Sequence, residues 1–218
     1  MHWHGIELES YYDGVAGFGG SARRVTPVIA PRDSFYARFT PPRAGTFIHH
    51  SHVDEPRQHR AGLAWALIGV DPGRPDTSDD RVFLIKSARQ FPAGPTTMEI
   101  NGRSDPDTVR LRVEQRYRLR VLSVALVTPS TMLSLTQRPD SSGASVSNSM
   151  LVQWRLLAKD GADLPEGARV ARTARQVLSM GETYGFEFTP WAAGMLRLEM
   201  RSPAPVVRLL VRRPIRVE

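Results

Sequence analysis

The sequence has no cysteine among its 218 residues. This absence excludes disulfide bonds and metal sites built from thiolates. It leaves the cellular compartment open, because an exported protein need not contain disulfides. Long apolar runs are also missing, and no stretch approaches the roughly 20 residues that a membrane helix requires. No basic segment followed by an apolar one precedes the first motif, so the sequence predicts neither a membrane span nor a visible targeting signal.

Lysine is scarce, and arginine supplies nearly all of the 29 basic residues, which face 22 acidic ones and give a net charge of +7. A nucleic-acid-binding protein would gather these charges into a patch with aromatic side chains. Here they alternate with apolar residues, as in residues 110–120 and in the C-terminal tail. We interpret them as the exposed faces of strands and expect no nucleic-acid partner.

Long helical patterns are absent too, since 17 glycines and 17 prolines divide the chain into short segments. Many of these segments alternate between apolar and polar residues, as half-buried strands do. Examples are residues 34–40, 46–52 and 117–124. Strands at this spacing are typical of sandwiches and barrels, so we predict an all-β fold.

A polar stretch, DPGRPDTSDD, separates a segment that contains every histidine from one that contains none. Such proline-bearing polar stretches are common between domains. We therefore predict a first domain over residues 1–72, a linker over residues 73–80 and a second domain over residues 81–218.

An internal repeat supports two related domains. Residues 28–45 align with residues 177–194 at an offset of 149 and share the frame F-T-P-x-x-A-G. At this offset His50 and His52 fall on Glu199 and Arg201, so the second domain is expected to lack metal ligands. Met1 falls on Met150, inside the second copy. We therefore expect the first domain to lack its N-terminal strands and the chain to be a fragment or one part of an assembly.

Two paired-histidine motifs, HWHG and HHSH, suggest a metal site formed by His2, His4, His50 and His52. Residues i and i+2 of a strand project from the same face, about 6.6 Å apart, so each pair presents two imidazoles side by side. Imidazole binds both copper and zinc, and the spacing alone leaves the metal open. His59 lies in a polar run and is expected to be exposed.

The motifs carry a family resemblance. HWHG, then Asp13-Gly14, then TPVIAPRDSFYARFTPPRAGTFIHHSH resemble, in order, the multicopper oxidases, a laccase-like family built from cupredoxin domains. The match is specific over residues 1–72 and weaker through MEINGRSDP and EQRYRLRVLSV. It implies two cupredoxin-like Greek-key β-sandwich domains, the first without its N-terminal strands.

The resemblance also implies site residues and a cofactor. His2 would bind the type 2 copper of a trinuclear cluster, and His4, His50 and His52 would bind the type 3 pair, so the chain would hold half of the ligands of a site that reduces dioxygen to water. Asp13 matches an acidic residue that helps protons reach the oxygen, although Asp13-Gly14 is equally typical of a simple tight turn. Family members of this kind are periplasmic or extracellular.

The chain departs from the family pattern in two respects. It has no His-Cys-His motif and hence no type 1 copper site, and it lacks the other four histidines of the cluster. The remaining cluster ligands would come from a complementary cupredoxin domain, encoded upstream or carried by another chain. Alone, the chain is expected to be inactive as an oxidase. The alternative is a non-catalytic β-sandwich module that binds zinc or a single copper.

Overall fold

The fold consists almost wholly of strands. The computed structural model describes residues 1–73, 76–89, 96–125, 130–137, 151–202 and 208–218. Strands make up 50% of the described residues and helices 6%, which confirms the all-β prediction. Within these ranges, one α-helix, α1 (Glu55–Arg60), and two 3-10 turns, Ser10–Tyr12 and Glu166–Ala168, interrupt the strands. Across these described ranges, no helix is long and apolar enough to cross a membrane.

A three-stranded antiparallel sheet carries the histidine motifs. It consists of β1 (His2–His4), β4 (Gly45–His50) and β5 (Ala64–Gly69), with β4 in the middle. The register places His2 opposite His50. In the sequence between β1 and β4, β2 (Gly20–Ser21) and β3 (Arg24–Val25) form a separate two-stranded ribbon.

The other strands form two larger sheets. They are β6 (Asp80–Arg89), β7 (Thr96–Ile100), β8 (Val109–Leu111), β9 (Tyr117–Val124), β10 (Ser130–Thr136), β11 (Gln153–Lys159), β12 (Ala162–Asp163), β13 (Ala171–Thr173), β14 (Arg175–Ser179), β15 (Thr183–Phe188), β16 (Gly194–Arg201) and β17 (Leu209–Val217). The seven-stranded sheet has the order β12-β11-β15-β9-β6-β7, with β13 paired to β11, and the five-stranded sheet has the order β14-β10-β16-β17-β8.

The three sheets form three layers around two cores. The main core lies between the seven- and five-stranded sheets and includes Trp154 stacked on Phe186, with ring centroids 3.9 Å apart. A smaller core joins Ile48 of β4 to Leu84 of β6 and Leu122 of β9. β6 and β9 therefore contribute to both cores, and β9 is buried along almost its whole length, as expected for a strand covered on both faces.

The strand prediction for residues 34–40 was wrong. The segment has no regular secondary structure, although its exposure alternates as the sequence indicates, with Phe35 and Phe39 half-buried and Tyr36 79% exposed. It nevertheless pairs with no strand among the described residues. Its counterpart in the repeat, β15, pairs with both β9 and β11. Alternation specifies two faces of an extended segment, but a ladder also needs a neighbouring strand.

The sheet that carries the histidines is joined to the seven-stranded sheet through Thr46. The Thr183 hydroxyl donates to the Thr46 carbonyl oxygen at 2.9 Å, and Arg120 Nη1 donates to Thr46 Oγ1 at 2.6 Å. Arg120 Nε also donates to Asp80 Oδ2 at 2.6 Å. Asp80 is the first residue of β6, so the predicted linker ends where this network begins. The predicted division into domains remains a prediction.

Candidate metal centre

The pairing of β1 with β4 brings three of the predicted ligands together. One side-chain nitrogen from each of His2, His4 and His50 lies within 4.8 Å of the others. The ring centroid of His50 is 5.2 Å from that of His2 and 5.7 Å from that of His4. Two adjacent strands thus present their histidines from one face of the sheet, as the i, i+2 spacing predicts.

His52 lies beyond the end of β4, at the rim of the same cluster. Its ring centroid is 5.5 Å from that of His2 and 5.9 Å from that of His50. Its Nε2 lies 3.4 Å from Oε1 of Glu55, in the first turn of α1. All four predicted histidines line one cavity of about 300 Å³, which Glu55 also lines.

Asp13 lies beside His2 and supports its ring. His2 Nδ1 is 2.9 Å from the Asp13 carbonyl oxygen and 3.3 Å from its carboxylate Oδ2. When Nδ1 donates to this carbonyl, Nε2 is left free to bind a metal. Asp13 directly follows the 3-10 turn Ser10–Tyr12, and Gly14 has a φ of +80°, a backbone conformation that favours glycine. The two interpretations of this dipeptide are compatible.

His50 is held as a neutral imidazole. The residue is 8% exposed, and its Nδ1 lies 2.8 Å from the Ser51 carbonyl oxygen. Burial lowers the pKa of His50 from 6.5 to about 4, because a buried imidazolium loses its hydration. Burial also lowers the pKa of His4. A metal requires the neutral ring, so both groups are ready to bind one near neutral pH.

His59 is buried, contrary to the expectation that it is exposed. It is 4% exposed, and its Nε2 lies 2.9 Å from the Ser51 carbonyl oxygen and 3.0 Å from His50 Nδ1. Helix α1 carries the ring into this position. This helix was not predicted from the sequence, and the one signal that could have indicated it is Pro56, because proline is common in the first turn of a helix. His59 therefore packs behind a predicted ligand and helps to fix its orientation.

His49 lies on the opposite face of β4, away from the cluster. It pairs with Trp3 across the two strands, and the two ring centroids are 6.2 Å apart. Trp3 in turn donates from its indole nitrogen to the Tyr12 carbonyl oxygen at 3.0 Å. His49 thus takes part in packing, which distinguishes it from its neighbours His50 and His52.

One wall of the cavity comes from residues distant in the sequence. Val124 closes the end of β9, and Met180 and Gly181 lie in the turn between β14 and β15. Sequence reasoning missed these residues because they belong to the predicted second domain, which has no histidines, and no local motif marks them. Their contribution comes from the packing of the sheets alone.

The arrangement fits a transition-metal ion. Neutral imidazole nitrogens suit copper and zinc, and ligating histidines usually donate their second nitrogen to a carbonyl or carboxylate oxygen. His2 has Asp13 as such a partner and His50 has Ser51. The donor set and its supporting hydrogen bonds could therefore hold such an ion.

Comparison with known proteins indicates the family. Residues 1–73 match the family model described as multicopper oxidase. Laccase-5 from Trametes villosa is 31% identical over 150 residues, which cover 57% of the chain and 27% of the laccase. The chain thus spans about a quarter of the length of this relative.

Solved structures agree with this comparison. A structure described as a multicopper oxidase superposes with a TM-score of 0.74 at 17% identity. The superposition covers 100% of the present chain and 69% of the chain in that structure. The Blue Copper Oxidase from Nitrosomonas europaea gives a TM-score of 0.69 at 17% identity, covering 99% of the chain and 68% of its own. These likenesses establish the cupredoxin-like fold. Together with the sequence matches, they make the chain similar in sequence and in fold to the laccase-like multicopper oxidases, a family of oxidoreductases.

Proposed function

We propose that the chain supplies four histidines to a trinuclear copper site that reduces dioxygen to water. The observation that carries this proposal is the convergence of nitrogens from His2, His4 and His50 within 4.8 Å, with His52 at the rim. In this proposal His2 binds the type 2 copper. His4, His50 and His52 bind the type 3 pair.

Copper held at this site would supply the electrons that reduce dioxygen while a donor is oxidised elsewhere in the full enzyme. The residues of the chain hold and orient the ions. The Asp13 and Ser51 carbonyl oxygens fix the rings of His2 and His50, so their free nitrogens face the cavity. Val124 and Met180 line part of the cavity with apolar surface.

We propose that Asp13 transfers protons toward the cavity. Its carboxylate lies 3.3 Å from the His2 ring, and its side chain is 30% exposed, so it can exchange protons with solvent on one side. A carboxylate in such a position can act as a general acid through bound water. Asp13→Asn keeps the carbonyl contact with His2. We expect it to retain copper and to slow the reduction of oxygen.

The rest of the cluster must come from a partner. The chain contains six histidines and no cysteine, so it cannot by itself provide the donor-oxidising type 1 copper. We propose that a complementary cupredoxin domain, encoded upstream or carried by another chain, supplies the remaining ligands. We place the assembled enzyme in the periplasm or outside the cell.

A non-catalytic metal-binding module is the second candidate. Three histidine nitrogens within 4.8 Å are enough to hold one zinc or one copper ion with an open fourth position. Such a module would bind a single ion in isolation and would not need a partner.

Copper titration with a matched pair of variants tests the proposal. His50→Gln removes a predicted ligand, and His49→Gln removes the adjacent histidine on the opposite face of β4. We expect copper bound by the purified chain to fall in the first variant and to stay unchanged in the second, by metal analysis and by electron paramagnetic resonance.

Oxygen uptake with a phenolic donor should appear only when the complementary domain is present. Equal copper loss in both variants would contradict the assignment of the ligands. Stoichiometric zinc in protein produced with excess copper would favour the second candidate.

A further inference from the structure

We propose that Gly181, in the ligand-free copy of the repeat, positions His4 for copper. The turn between β14 and β15 would then act as a supporting element of the metal site, although it contributes no ligand. This inference rests on the proposed copper-binding function, and its test also includes a measurement on the metal-free protein.

The geometry around His4 defines which nitrogen it presents. The His4 ring forms a hydrogen bond with the backbone of Gly181. A Cβ added to Gly181 would lie 3.0 Å from His4 Nε2 and 3.2 Å from Cε1, so the Nε2 edge of the ring faces the glycine. His4 Nδ1 is therefore the nitrogen left to bind a metal together with His2 and His50. This is the opposite of the arrangement in His2 and His50, which contact backbone carbonyls through Nδ1.

The turn that contains Gly181 is held by hydrogen bonds that do not involve His4. Gly181 N–H donates to the Ser123 carbonyl oxygen at 2.8 Å, and Ser123 N–H donates to the Glu182 carbonyl oxygen at 3.1 Å. The Glu182 carboxylate accepts from Ser179 N–H at 2.8 Å. Because the Gly181 N–H is occupied by Ser123, its carbonyl oxygen is the group that can accept from His4.

Thr183 connects this turn to the strand that carries His50. Its hydroxyl donates to the Thr46 carbonyl oxygen in β4 at 2.9 Å. The distance between the turn and β4 is thereby set by a direct hydrogen bond. This hydrogen bond therefore helps to fix the position of Gly181 relative to the histidine cluster.

A side chain at position 181 should disturb the metal site more than the fold. Gly181 has a φ of +84°, which favours glycine, and an added methyl group would press on the far end of the His4 side chain. The ring can yield by a few tenths of an ångström at little cost in packing, but a metal ligand displaced in this way binds less well. Loss of a group that orients a ligand typically weakens metal affinity by about 10- to 100-fold.

Gly102→Ala is the matched control for Gly181→Ala. Gly102 has a φ of +80°, and a Cβ there would meet no atom within 4 Å. Both variants thus carry the same backbone strain, and only Gly181→Ala touches the metal site. We expect similar losses of thermal stability in the two. We expect copper affinity, measured by competition with a chelator, to fall about tenfold or more only in Gly181→Ala.

Imidazole nitrogen NMR of the metal-free chain tests the contact without copper. His4 should be the Nε2–H tautomer in the original chain and in Gly102→Ala, and should lose this preference in Gly181→Ala. An Nδ1–H tautomer of His4 in the original chain would overturn the inference, as would equal copper affinity in the two variants. If the expected tautomers are observed but the chain binds no copper, the contact stands and the proposed function fails.

Discussion

At the scale of single residues, the predicted ligands differ in how they are supported. His2 and His50 each contact a carbonyl oxygen close in sequence, whereas His4 contacts a turn more than 170 residues away. Paired histidines on strands could be recognised from the sequence because their spacing is local. The support that Gly181 and His59 give to these ligands could not be recognised from the sequence, because it depends on how the sheets and helix α1 pack.

The buried His50 should make the stability of the metal-free chain depend on pH. Its pKa falls from 6.5 to about 4 on folding. Above pH 6.5 both states are neutral at this group. Between pH 6.5 and about 4 the unfolded chain takes up a proton that the folded chain does not, so the free energy of unfolding decreases as the pH falls.

Urea unfolding at several pH values measures this effect. The free energy of unfolding should decrease less for His50→Gln than for the original chain as the pH falls from 6.5 to 4, because the variant lacks the imidazole that is protonated only in the unfolded state. Identical pH dependence in the two proteins would show that His50 is not buried as a neutral ring.

At the scale of elements, alternation predicted strands well where a neighbour was available. β9 has the predicted bounds, and β4 covers most of the predicted segment 46–52. Residues 34–40 have equal alternation but no ladder among the described residues. Helix α1 was missed because six residues are too few to show a helical period.

The position of β1 should depend on Gly14. An added Cβ at Gly14 would lie 1.6 Å from the Met1 carbonyl oxygen, so Gly14→Ala should displace β1 and weaken copper binding. Gly17→Ala is the control, because Gly17 has a similar φ of +81° and its Cβ would meet no atom within 4 Å. Both carry a backbone cost of about 1–2 kcal/mol. Equal stability and copper affinity in the two variants would argue against a fixed β1.

At the scale of the whole molecule, a buried ion pair connects the layers. The side chains of Arg120 and Asp80 are 6% and 13% exposed, and Arg120 also donates to Thr46 in β4. Burial is the main cause that lowers the pKa of Arg120, because it removes water from the charged guanidinium. The ion pair with Asp80 opposes this effect and stabilises the buried charge. Breaking this pair should therefore affect the seven-stranded sheet and the histidine-bearing sheet together.

Asp80→Ala should destabilise the protein by about 3–5 kcal/mol, because it leaves a buried charge without its partner. Asp107→Ala removes the partner of Arg103 in an exposed pair and should cost less than about 1 kcal/mol. Thermal unfolding followed by circular dichroism measures both. We expect one transition in each protein, and a separate early transition of the histidine-bearing sheet in Asp80→Ala would contradict a shared network.

The middle layer restricts which substitutions the metal site can tolerate. Leu122 and Val124 support the sheet that carries the histidines, while Leu119 and Val121 of the same strand fill the main core. A change in β9 that enlarges or shifts the cavity must therefore still satisfy the packing on its other side. The binding properties of the histidines can be adjusted through the turns and helix α1 more freely than through the strand beneath them.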